Sequence, residues 1–247
     1  ALLCVCSDRV DIQSVDKNLA MFQTSSPSYV LMASMDGCVR MLKNSGNELL
    51  NDWSGNLDIC KRSLNRLKRL SLFDAKKDGR AFAYDKSKLV ILCTGAAISG
   101  VELKKVLRNV YDIELEMAGV NYAIAMSGAG DSRENFSALE NALFAIDDTL
   151  CERNGLTKTI TPILPKQALE PYKTNTLSGE YVDFVKSAGR ISLENVWADP
   201  PGSPLIVKGE IICAEDVKNL TLMYESGVSV SSENRLFPAK IFVAKEQ

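Results

Sequence analysis

Histidine is absent from all 247 residues. That removes the commonest general base, the Ser-His-Asp triad and the usual zinc ligand. Any chemistry must rest on carboxylates, lysine, tyrosine, hydroxyls or a cofactor. A charge excess is missing as well: 29 basic against 31 acidic residues leave a net −2, with pI near 5.4. No basic surplus points to nucleic acid or to an anionic membrane. The longest apolar runs, such as Leu89 to Cys93, are far too short to span a bilayer. Ala1-Leu2-Leu3 lacks the basic residues of a secretory signal. A disulfide framework is missing too. The seven cysteines (Cys4, Cys6, Cys38, Cys60, Cys93, Cys151 and Cys213) are odd in number and lie mostly inside apolar runs. Buried thiols in a reduced, cytoplasmic protein are the expectation. Cys4-x-Cys6 has neither a second pair nor a histidine, so no metal ligands are assigned.

What is present begins with a hydrophobic content of 46 %, enough for one large domain or two smaller ones. The organising stretch is Thr24-Ser25-Ser26-Pro27-Ser28-Tyr29, followed by Val30-Leu31-Met32-Ala33-Ser34-Met35-Asp36. Proline fixes φ and lacks an N–H, so it suits the first turn of a helix. The hydroxyls before it sit where caps sit, beside the free N–H groups of a helix start. Such a place serves as an ordinary helix cap or holds a phosphate, since donors and helix dipole both favour an anion.

Elsewhere the pattern is α/β. Ala1 to Cys6 reads as a buried strand, and a chain that opens inside its own core looks cut. Val15, Leu19 and Phe22 recur at helical spacing, as do Leu31, Met35, Cys38 and Leu42, and Asn44-Ser45-Gly46 gives a helix-stop signal. From Glu48 to Leu70, Trp53, Leu57, Cys60, Leu64 and Leu67 form one apolar stripe, with a charged outer face. Lys17, Lys43 and Lys61 fall on polar helix faces. Asp74 to Asp78 with Gly79 reads as a turn, Arg80 to Tyr84 as a short strand and Lys88 to Thr94 as a buried one. Gly95 to Gly100 is a tight turn without a GxGxxG or GxxxxGK pattern, and Ser99 with Glu102 forms a capping box. Strands are expected at Ile113–Met117 and Asn121–Met126, then a helix from Asp131 carrying Phe136, Leu139, Leu143, Ile146 and Leu150. This is a sheet layered under helices. Asn154 to Lys173 reads as a surface linker and Glu180 to Lys186 as a short helix. The prolines of 198–204 exclude helix and central strand there. Short strands at Leu205–Val207 and Glu210–Cys213, a helix at Ala214–Tyr224 and a closing strand at Lys240–Ala244 complete the reading.

The wording of three blocks goes further. QTSSPSYVLMASMDGCVRML resembles the TSPSY…LLAS-D stretch of the bacterial ornithine/lysine/arginine decarboxylases that use pyridoxal phosphate (PLP). Gly189-Arg190-Ile191-Ser192 with Glu194, and Pro200-Pro201-Gly202-Ser203-Pro204-Leu205-Ile206-Val207-Lys208-Gly209-Glu210, are similar to that family's GRISAE…YPPGIPLLVPGE. Asp199 and Ser203 depart from it, standing where the family has an aromatic and an apolar residue. The order agrees from Ala1 to about Met223.

The resemblance implies the aspartate-aminotransferase fold (fold-type I), here its C-terminal portion. Residues 1–47 would end the large PLP-binding domain, 48–155 form the small α/β domain with its leading helix, and 156–247 form the C-terminal α+β domain of the family. It implies PLP as cofactor, a homodimer or higher oligomer with shared active sites, and polyamine-type amines as products. The family's Schiff-base lysine lies in a Ser-x-His-Lys motif, which a chain without histidine cannot hold. So no catalytic residue is assigned here, and the N-terminal half of the same protein becomes an expected partner. Ser25 and Ser26, with Thr24 adjacent, match the segment that reaches a neighbouring subunit's cofactor phosphate, Ser25 being the first expected donor and Tyr29 a wall of the site. Glu210 borders the expected substrate entrance, where it attracts a cationic side chain or serves as a turn acceptor. Arg190 is expected to be a structural donor. The alternative is a non-catalytic fragment or subunit serving association only.

Overall fold

The computed structural model describes residues 3–75, 79, 81–153, 159–160 and 163–245. The chain divides into two compact units, Ala1–Leu50 and Asn51–Gln247. In the first, Leu3 to Cys6 pair with no strand, and Cys4 and Cys6 are exposed. The buried strand expected there is not formed: its ladder groups have no neighbouring strand within the described residues, and Ala1 and Leu2 lie outside them. Helix α1, Ile12–Phe22, starts at Asp11, whose carboxylate accepts the Ser14 N–H at 2.9 Å. None of its residues is buried, and Phe22 is 83 % exposed.

Helix α2 runs unbroken over Tyr29–Leu64. The stop expected at Asn44-Ser45-Gly46 does not occur. Gly46 has no positive φ, so it serves as an interior residue rather than as a left-handed cap. An interior glycine costs about 1 kcal/mol, which helical patterning on both sides outweighs. The apolar residues Leu31, Met35, Cys38 and Leu42 are exposed. Farther along α2, Leu57, Cys60 and Leu64 are buried, as their stripe requires.

In the second unit β1 (Ser71–Leu72), β2 (Lys88–Leu92), β3 (Met117–Ala118) and β4 (Tyr122–Met126) form a sheet in the order β1-β2-β4-β3, antiparallel throughout. No strand forms at 81–84, and Arg80 lies outside the described residues, as does most of the 74–78 turn. Helix α3, Gly100–Tyr111, packs on β3 and β4. It begins with the expected Ser99–Glu102 box, the Ser99 N–H donating to Glu102 at 2.8 Å. Gly100 is obligatory: a Cβ there would lie 1.8 Å from the Tyr122 carbonyl oxygen. Helix α4, Arg133–Thr149, is capped by Ser132 and buries Phe136, Leu139, Leu143 and Ile146. These meet Leu89, Ile91, Leu103 and Leu107 in one core, each fully buried leucine contributing roughly 1.5–3 kcal/mol. Asp147 closes the unit. Its buried carboxylate accepts three successive N–H groups, of Lys68, Arg69 and Leu70, at 2.7, 3.0 and 2.7 Å.

The remaining residues build short antiparallel ribbons: β10 (Val230–Ser232), β7 (Val196–Ala198) and β8 (Ser203–Ile206) in that order; β11 (Lys240–Ala244) with β6 (Gly179–Asp183); and β5 (Lys166–Gln167) with β9 (Glu210–Ile211). Pro204 thus sits on an edge strand, where its missing N–H costs nothing. Of the surface linker expected at 154–173, residues 154–158 and 161–162 lie outside the described residues. The helix expected at Glu180–Lys186 is a correction: 179–183 pair with β11, and only Phe184–Lys186 make a 3-10 turn. The ladder decides this, because Val182 and Phe184 join a second core with Ile241 and Val243. Helix α5, Ala214–Glu225, adds Leu220 to that core. Among the described residues no helix is long and apolar enough to cross a membrane.

Candidate functional site

Ser28, not the hydroxyls before Pro27, caps α2. Its Oγ accepts the Leu31 N–H at 3.4 Å and its carbonyl accepts the Met32 N–H at 3.0 Å. Pro27 therefore precedes the cap instead of occupying the first turn. One physical reason suffices: a cap hydroxyl must sit two or three residues before the N–H it accepts, and Thr24–Ser26 are too far upstream. Ser25 and Ser26 are exposed, and their hydroxyls have no partner among the described residues. The Thr24 Oγ1 lies 3.5 Å from the Ser26 carbonyl. Tyr29, the first residue of α2, is 79 % exposed. Free hydroxyls next to a helix start match the donor set that a phosphate needs.

Glu210 lies in the second unit. Its Oε2 accepts the Val207 N–H at 2.8 Å, closing the turn that Gly209 makes with φ +88°. This is the turn-acceptor role open to it from the sequence; its other oxygen has no partner among the described residues. It lines a groove of about 250 Å³ with Leu205, Val207, Asp216, Asn219, Leu220 and Met223. Arg190 is structural: its guanidinium donates to Glu180 and to the Ala244 carbonyl, both at 2.6 Å. Glu194 is completely buried, with no cationic partner among the described residues. It accepts the Phe242 N–H at 2.7 Å, the Asn234 N–H at 3.1 Å and the Asn234 side-chain amide at 3.0 Å. The Gly-Arg-Ile-Ser-x-Glu block is thus a joint between β7, β11 and the 234 turn.

Several groups escaped the sequence reading. Lys61 is not on an open polar face: it is half-buried, donates to the Lys86 carbonyl at 2.5 Å, and burial lowers its pKa. Arg153 donates to the Ala96 and Ile98 carbonyls at 2.9 and 2.7 Å, pinning the Gly95–Gly100 turn. Of the cysteines only Cys60 and Cys93 are buried, each thiol pushed up to about 12 by desolvation. Cys4, Cys6, Cys38 and Cys151 are exposed, against the expectation of buried thiols. No periodic signal marks Lys61 or Arg153, because their partners are carbonyls distant in sequence. No cluster of three or more metal-ligating side chains occurs among the described residues.

No protein-family model matches the chain. It is 28 % identical to the arginine decarboxylase of Bacillus subtilis over 248 residues, covering 98 % of this chain and 50 % of the relative. It is 27 % identical to that of Halalkalibacterium halodurans over 236 residues, 93 % of this chain and 48 % of the relative. The chain therefore spans about half the length of the curated relatives it matches. In fold it is similar to a constitutive lysine decarboxylase of E. coli, with TM-score 0.71 at 16 % identity, covering 96 % of this chain and 46 % of that one. The Francisella novicida lysine decarboxylase gives TM-score 0.72 at 13 % identity, with the same coverage. Both likenesses bear on the fold, a mixed α/β arrangement shared with part of those enzymes.

Proposed function

We propose that these residues are one portion of a PLP-dependent decarboxylase of a basic amino acid: lysine, ornithine or arginine. On this reading the chain is the C-terminal part of a fold-type I enzyme. The observation that carries the proposal is the similarity along nearly the whole chain to about half of each arginine decarboxylase. It is joined by the unpartnered hydroxyls of Ser25 and Ser26 beside the start of α2.

The residues present fit one end of the cofactor. Ser25 and Ser26, with Thr24 adjacent, would donate to the PLP phosphate of a neighbouring subunit, and Tyr29 would wall the site. Because Ser28 supplies the cap, the Ser25 and Ser26 hydroxyls are free for an anion. When bound, PLP supplies the electron sink for the charge left by departing CO2. No lysine here stands in a Ser-x-His-Lys context, so the other end of the cofactor would be held by an N-terminal half. The exposed apolar residues of 12–42 suit burial against such a half, in a homodimer or larger oligomer with shared active sites. Glu210 would draw the substrate's cationic group toward the entrance, and the compartment would be the cytoplasm.

In the complete enzyme, Ser25→Ala should weaken PLP retention about tenfold, the scale of one lost charge-assisted hydrogen bond. Dialysis against phosphate with readout of bound PLP measures it. Unchanged retention in Ser25→Ala and in the Ser25→Ala/Ser26→Ala double variant would remove the phosphate assignment.

A further inference from the structure

The groove beside Glu210 has a chemistry of its own. One wall is the face of α5 that presents Asp216, Asn219, Leu220 and Met223, spaced as successive turns of a helix. The facing wall is the edge strand β8 at Leu205 and the turn ending at Glu210. Both carboxylates are half-buried and each is held by one backbone N–H: Glu210 Oε2 by Val207, Asp216 Oδ2 by Cys213, both at 2.8 Å. Each keeps its second oxygen without a partner among the described residues. Among the described residues no lysine or arginine lines the groove to neutralise them. The groove thus combines aliphatic walls with two fixed, unpaired negative charges in about 250 Å³.

We propose that this groove binds a short aliphatic ammonium ion, its methylenes along Leu205, Leu220 and Met223 and its charge on Glu210 and Asp216. A carboxylate ligand is repelled by the same two groups, and an uncharged alkane of that length leaves them unpaired. A methylene chain gains about 0.8 kcal/mol per buried CH2, and an ammonium donating to a partly desolvated carboxylate exceeds an exposed ion pair. The proposal extends the cation-attracting role given to Glu210 but needs neither PLP nor an N-terminal half. Its failure and the failure of the decarboxylase reading are therefore separable.

Isothermal titration of the 247-residue chain with 1,5-diaminopentane tests it, with 1-pentanol and pentanoate as controls. One saturable site for the diamine, weakened by added salt and absent for both controls, is expected. Asp216→Asn should raise Kd about tenfold, one charge-assisted contact being worth roughly that factor. Leu205→Lys, which puts a tethered ammonium into the groove from a half-buried edge position, should abolish binding while leaving the circular dichroism spectrum unchanged. Absence of a saturable site, equal binding by pentanol, or full affinity in Leu205→Lys would each overturn the proposal.

Discussion

Two buried carboxylates show how single residues hold this chain together. Asp147 and Glu194 each collect three N–H donors and, among the described residues, no cation, so hydrogen bonds meet their charge there. Glu194→Ala leaves those donors empty in a closed interior and should cost about 3–5 kcal/mol in urea unfolding; a cost below 1 kcal/mol would mean that water replaces the carboxylate. Asp85 carries the clearest acid-range signature. Hydrogen bonds from Ser87, backbone first and side chain next, then from Lys88, lower its carboxyl from an ordinary 3.8 to about 2. A lowered value means that its stabilisation is complete above the ordinary value and is lost as pH falls through about 2. Carboxyl-carbon NMR should therefore find Asp85 titrating near 2, and Ser87→Ala should move it back toward 3.8. Little of this was legible in the sequence. Glu194 stood inside a recognisable block, but its donors lie 40 and 48 positions away, and local spacing carries no sign of them.

At the scale of elements, amphipathic spacing found what packing completes. The stripe from Trp53 to Leu64, the Ser99–Glu102 box and the apolar face of 133–149 appear as read, because core burial and capping chemistry act within a few residues; the helix expected to reach Leu70 ends at Leu64, and Leu67 packs on the core from beyond it. Readings failed where two local signals competed. Asn44-Ser45-Gly46 signals a stop, yet α2 continues; Glu180–Lys186 allows a helix, yet a distant strand at 240–244 claims it. Gly46→Ala separates the alternatives at the first site. A Cβ there meets only Leu42 at ordinary contact distances of 3.7 and 3.8 Å. In a continuous helix the change should stabilise by about 1 kcal/mol, whereas at a left-handed cap it would destabilise. Thermal melting of the two proteins gives the sign. The Thr24–Ser26 hydroxyls were legible as a cluster, but their freedom from capping was not, since it depends on Ser28 taking that role.

For the whole molecule, the division at Leu50 coincides with a change in how apolar residues are used. Beyond it many fill two cores, although single residues such as Phe82 and Leu164 stay exposed; before it no core forms among the described residues, and Phe22, Tyr29, Val30 and Leu31 are 83, 79, 79 and 65 % exposed. Contiguous exposed apolar surface of this kind marks interaction sites, which is the physical ground for proposing that residues 12–42 meet an N-terminal half. Thiol labelling should see the same asymmetry. In the chain alone, Cys38 and Cys151 should react readily, while Cys60 and Cys93, both pushed up to about 12, should react only on unfolding. Mass mapping after a short pulse of alkylating reagent identifies each site, and rapid modification of Cys60 would contradict the packed α2 stripe.

We propose above that these residues work only as part of a decarboxylase. The most direct test is intact mass, visible absorption and CO2 release, measured together on the unproteolysed protein from its native source. The account predicts a heavier chain, or a second chain, with PLP absorbance and release of CO2 from a basic amino acid, while the 247 residues alone with added PLP release none. A single colourless 27.1 kDa species inactive with PLP, or turnover by the isolated 247 residues, would contradict it.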